Sequence, residues 1–126
     1  MEPIDPRESL SRFILTKQHY RPSDSCVKWA AFLPNPNTGD TSAFRTSDIS
    51  DDEIWAIGDR EVGMKRGKPI LGRADVPASV ILVKKLKIIP SEPPERHANI
   101  AAWPDERSQQ KLVAIELAEK SQLYLK

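Results

Sequence analysis

Eleven prolines punctuate this chain of 126 residues, at positions 3, 6, 22, 34, 36, 69, 77, 90, 93, 94 and 104. Proline lacks a backbone donor and pushes the residue before it out of the helical region, so each one marks a boundary. A chain cut this often folds into short elements joined by turns. No internal repeat is present, and the only low-complexity run is 90–94.

The length fits one domain with its own core, read over residues 1–126 with 1–8 as a candidate flexible segment. Hydrophobic residues make up 39% and charged residues 29%, a globular balance with a modest core. The formal net charge of +1 argues against bulk electrostatic binding to nucleic acid. The single cysteine, Cys26, forms no internal disulfide and fits a reducing compartment. The acidic, polar start MEPIDPRESL lacks a secretory signal pattern, and the longest strongly apolar run, 80–83, is far too short to span a bilayer. The expectation is a soluble cytoplasmic protein, of bacterial type, with no membrane partner.

Residues 9–17 carry Leu10, Phe13 and Ile14 at helical spacing, with a buried strand as the alternative. Residues 29–33 read as a strand that turns through the Asn/Pro/Gly-rich 34–40 and pairs with 41–46 as a hairpin. Ser50-Asp51-Asp52-Glu53 is a capping box that opens a helix fraying near Gly63. Residues 69–76, 80–89 and 98–103 read as strands, with 80–89 the strongest signal. A last helix opens at Pro104 and runs to the end, with Val113, Ala114, Leu117, Ala118, Ser121 and Leu125 as its inner stripe. The fold class expected is α+β, a small, mainly antiparallel sheet with two or three helices packed on one side and a long C-terminal helix.

No motif identifies a reaction by itself. Arg96, His97, Asn99 and Trp103 crowd one strand–loop junction after the prolines at 90–94. Histidine titrates near neutral pH and is the usual proton carrier. His97 is therefore the candidate catalytic residue, ahead of His19 in its polar loop. Arginine presents a planar fork suited to phosphate or carboxylate, and Arg45, Arg73 and Arg96 stand at strand ends. Asn99 would orient a ligand. The competing reading pairs each arginine with an acid: Arg73 with Asp75 or Asp48, Arg96 with Glu92 or Glu95. The 63–68 run lacks the P-loop spacing, and one cysteine with two distant histidines gives no metal site and implies no cofactor.

At Leu10-Ser11-Arg12-Phe13-Ile14, Ala43-Phe44-Arg45, Glu53-Ile54-Trp55-Ala56-Ile57-Gly58, Gly72-Arg73-Ala74-Asp75 and Arg96-His97-Ala98-Asn99-Ile100, the chain resembles a family of small bacterial proteins. The resemblance spans nearly the whole chain. It implies a stand-alone bacterial domain and brings no activity, cofactor or catalytic residue with it.

Two readings follow. In the first, Arg45, Arg73, Arg96, His97 and Asn99 gather around an anionic ligand, a nucleotide or RNA phosphate. In the second, the chain is a non-catalytic interaction module or homodimer that uses its C-terminal helix or a sheet edge. Exposure of Leu112, Ile115, Tyr124 and Leu125 would favour the second.

Overall fold

In the computed structural model, which describes residues 3–126, the centre of the molecule is a strand that the helical spacing of residues 9–17 had suggested as helix. This strand, β1 (Ser9–Ile14), turns Leu10 and Ile14 to one face and Phe13 to the other. A helix would have buried only one stripe. The period of two buries both faces and gives Ser11 hydrogen-bond partners on two neighbours.

β1 lies within a six-stranded, wholly antiparallel sheet. The other members are β4 (Thr41–Arg45), β5 (Gly72–Pro77), β6 (Lys87–Pro90), β7 (His97–Ala101) and β8 (Gln122–Leu125). The order is β6-β7-β4-β1-β5-β8. A separate two-stranded ribbon joins β2 (Tyr20–Arg21) to β3 (Cys26–Val27).

The helices lie on both faces of the sheet, not on one. On one face, α3 (Ala78–Val83) and α4 (Arg107–Lys120) bury Ile81, Ala114 and Leu117 against Leu10, Ala43, Val76, Ile88 and Ile100. Trp103 is sealed in this layer, its indole N–H donating to the Ile100 carbonyl at 3.0 Å. On the other face, α1 (Asp51–Gly58) continues through a π turn, Asp59–Gly63, into α2 (Met64–Arg66). It sets Ile54 and Ile57 on Phe13, Phe44 and Ile70. The helix does not fray at Gly63 but ends at Gly67, whose left-handed φ of 66° closes it. Ser50 caps α1 by accepting from the Glu53 N–H at 3.2 Å. The return bond from Glu53 is absent, and only half of the capping box forms.

Four further expectations are corrected. Residues 29–33 form a 3-10 turn, Trp29–Phe32, because β4 is already paired on both edges, by β1 and β7, and has no place for a hairpin mate. Residues 80–83 belong to α3: Ala78 and Ile81 are buried three apart while Leu82 and Val83 face out. The strand begins only after Lys85, which takes a left-handed φ of 65°. The third strand expected, 98–103, is β7 and stops at Ala101, short of Trp103. The last helix stops at Lys120, since Ser121 is extended and its hydroxyl donates back to the Ala118 carbonyl. The residues after it form β8, so Ser121 and Leu125 are not part of the helical stripe.

Candidate functional site

Strand alternation sorts the expected site residues. On β4, Ala43 belongs to the α4-side core and Phe44 to the α1-side core, so Arg45 leaves the sheet on the α4 side. On β7, Ala98 and Ile100 are in the α4-side core. His97 and Asn99 therefore face the α1 side. Arg45 and His97 stand on opposite faces and share no ligand.

Arg45 is held by Glu8, Nε to Oε1 and Nη2 to Oε2, both at 2.8 Å. With Arg96 it lines a concavity of about 1000 Å3. That hollow holds five carboxylates (Asp5, Glu8, Asp48, Glu92, Glu95) against three guanidinium groups (Arg7, Arg45, Arg96), a balance unsuited to an anion. The Glu92 carboxylate accepts from the backbone N–H of Arg96 at 2.8 Å, and the Arg96 side chain donates to the Arg45 carbonyl at 3.2 Å.

Arg73 does share the α1-side face with His97, but it is far across it. From β7 to β5 is three strand spacings, about 14 Å, and the rings of Phe44 and Phe13 fill the gap. Arg73 is only 2% exposed. Its guanidinium lies between the rings of Trp55 and Tyr124, 4.6 and 4.5 Å from their centres. It donates to Asp75 at 3.2 Å and to Asp51 at 2.9 Å. The expected partner Asp75 is present, and Asp51 takes the place offered to Asp48. One nitrogen, Nη1, is sealed without a partner.

His97 has both ring nitrogens engaged. Nδ1 lies 3.0 Å from the carbonyl oxygen of Ser91 and Nε2 lies 2.7 Å from the hydroxyl of Ser42. A carbonyl only accepts, so the ring proton sits on Nδ1 and Nε2 accepts from Ser42 Oγ–H. The ring also stands edge-on to Phe44, with centres 5.3 Å apart, which fixes its plane. Ser42 pairs across the sheet with Asn99, which pairs in turn with Ile89. The Asn99 amide has no hydrogen bond among the described residues, and Ile89 is 47% exposed. Lys87, two residues along β6, is exposed on the same side. The structure thus presents an open row, Ser42–Asn99–Ile89, with His97 on its flank.

Sequence reasoning named His97 and Asn99 as candidates and did not name Ser42, which the structure places beside them. Nothing near Ser42 in the chain distinguishes it, since its partner is 55 residues away. Among the described residues, no cluster of His, Cys, Asp or Glu could hold a metal ion. None of their helices is long and apolar enough to cross a membrane.

No family model, no curated protein and no solved structure matches this chain.

Proposed function

We propose that this chain binds a small acyl compound on the open face of β4, β7 and β6 and cleaves it by nucleophilic catalysis. The observation that carries the reading is the Ser42–His97 pair, 2.7 Å apart with the far ring nitrogen on a backbone carbonyl. A nucleophile, a base within hydrogen-bond reach and a group that orients the base are the parts such chemistry requires. The Ser42 proton passes to Nε2 as Oγ bonds to the acyl carbon. The same proton goes to the leaving group as its bond breaks, and water then releases the acyl group. Asn99, with its amide free, donates to the oxygen that becomes negative. Lys87 at the rim favours substrates with an anionic group.

The test is labelling by a fluorophosphonate probe, followed by peptide mass spectrometry. An adduct is expected on Ser42, lost in Ser42→Ala and reduced at least a hundredfold in rate in His97→Gln. A folded protein that takes no adduct at Ser42 would end the proposal.

A second reading, an interaction module, is favoured by one observation. Val83 on α3 is 76% exposed and Leu112 on α4 is 58% exposed, and an ion pair between Lys84 and Glu116 ties the two helices together. Tyr124 and Leu125 on β8 are exposed as well. Light scattering over a hundredfold range of concentration tests self-association. A monomer throughout, with Val83→Glu and Leu112→Glu unchanged in behaviour, speaks against a homodimer.

A further inference from the structure

The two ends of the sheet are finished differently. β6 and β8 are the outermost strands, each bonded on one side only. In an antiparallel ladder, each residue turns its N–H and its C=O to the same neighbour, and successive residues alternate. The Ser91 N–H donates to the His97 carbonyl, so Ile89 and Lys87 also turn toward β7. Ile88 and Pro90 are left to face outward, and Pro90 has no N–H to offer. This proline and the exposed Lys87 blunt the β6 edge against further pairing.

β8 carries neither device. The Lys126 N–H donates to the Leu71 carbonyl, so Tyr124 and Gln122 turn toward Arg73 and Asp75 of β5. The N–H and C=O groups of Leu123 and Leu125 therefore point away from the sheet. No backbone hydrogen bond reaches them from another element among the described residues. Val27 of the β2–β3 ribbon shares the α4-side core with Leu123, but the ribbon pairs only with itself. From Gln122 to Leu125 there is no charge and no proline, and Tyr124 and Leu125 are 39% and 49% exposed.

We propose that β8 pairs antiparallel with β8 of a second copy about a twofold axis at Tyr124, so that one sheet runs through both molecules. The pairing gives the interaction module its partner and its contact, and it rests on that second reading rather than on Ser42 and His97. Parity fixes the register. Opposed residues must lie on the same face, and the outward groups must be the ones that bond. With the axis at Tyr124, Leu123 opposes Leu125 of the second copy, and the two exchange N–H···O=C bonds. Every free backbone group of the edge is then used. Tyr124 meets its own counterpart as a non-hydrogen-bonded pair, with Cα atoms about 4.5 Å apart and the rings side by side on the α1 face. Leu123 and Leu125 cover one another on the α4 face. Lys126 opposes Gln122, so no like charges meet. The same operation on β6 would lose a bond at each Pro90. A strand complementary to itself gives an isologous contact, which closes as a dimer.

Sedimentation velocity of the full chain over a hundredfold range of concentration reads the association, with circular dichroism to show that each variant is folded. A dimer that dissociates on dilution is expected. Leu125→Pro deletes an outward N–H and no bond within the molecule, and it should weaken the dimer at least tenfold. Val83→Glu with Leu112→Glu, on the helix face, should leave it unchanged. In a Cys26→Ser background, Tyr124→Cys sets a thiol on the axis within disulfide reach of its counterpart. Mild oxidation should cross-link it at least tenfold faster than Ile89→Cys on the β6 edge. A monomer at every concentration overturns both the β8 pairing and self-association as such. A dimer that withstands Leu125→Pro, or that Val83→Glu with Leu112→Glu abolishes, overturns the β8 pairing alone, as does equal cross-linking of the two cysteine variants.

Discussion

Glu8 grips Arg45 through two parallel hydrogen bonds, and this fork pins the segment before β1 to the end of β4. Both side chains are mostly shielded from solvent. Glu8→Gln keeps the shape and removes the charge. It should cost about 1.5–3 kcal/mol in urea unfolding at neutral pH, the range for a charge-assisted bond. The bond to Arg45 is the main cause that holds the Glu8 carboxyl below its ordinary 4.5. The unfolded chain therefore takes up this proton first as acid is added. The contribution is intact above pH 4.5 and is lost as pH falls through the lower folded value. Stability of Glu8→Gln should accordingly fall less steeply than that of the parent in this acid range.

The stacked Arg73 gives a second expectation. Arg73→Met fills the slot between Trp55 and Tyr124 but leaves Asp75, which also accepts from Ser11 at 2.5 Å, without its cation. Removing one partner of a buried pair costs about 3–5 kcal/mol. Arg73→Met with Asp75→Asn should recover part of that loss. Denaturant midpoints of the two single variants and the double decide it; a double variant no better than the additive sum would mean that the two groups are not coupled.

Two glycines should respond to alanine for different reasons. At Gly58 an added Cβ would lie 2.6 Å from ring and methyl carbons of Phe13 and Ile70. Gly58→Ala therefore overpacks the α1-side core, at a cost of about 1–3 kcal/mol. At Gly67 the same atom meets nothing within 4 Å, but φ is +66°. Gly67→Ala pays only the backbone strain, about 1 kcal/mol. Thermal melts of both should rank them in that order, and a Phe13→Leu background should relieve Gly58→Ala alone.

Ser50→Ala removes the hydroxyl that caps α1 and should cost about 1 kcal/mol. This is also where the sequence was most readable. A cap is a local device: the serine and the backbone N–H it accepts from are three residues apart. The same holds for the inner stripe of α4 at Ala114, Leu117 and Ala118. What the sequence hid was decided at long range. The apolar run 80–83 satisfies either period, and the buried pair Ala78 and Ile81 settles it only because α3 packs on β6 and β5. Residues 122–125 continued the helical pattern until the vacant edge of β5 claimed them. The expected arginine pocket is divided by parity at Arg45, on the face opposite His97, and by distance at Arg73, three strands away on the same face. Arg45 sits one residue from Phe44, which faces the other way, and Arg96 lies before β7 in a left-handed turn with φ of 71°; no composition argument registers either direction.

The order of the sheet has one more consequence. β1 and β4, both from before residue 50, form the middle pair, and strands from after residue 70 flank them on both sides. The second half of the chain cannot assemble its own sheet, because its two pairs of strands are held apart by the first half. The middle pair by itself exposes two raw edges. The chain is therefore a clasp that closes only when every part is present, and loosening at one end should be felt at the other. Trp55 reports from one face and Trp103 from the other, so single-tryptophan variants should unfold at one shared midpoint.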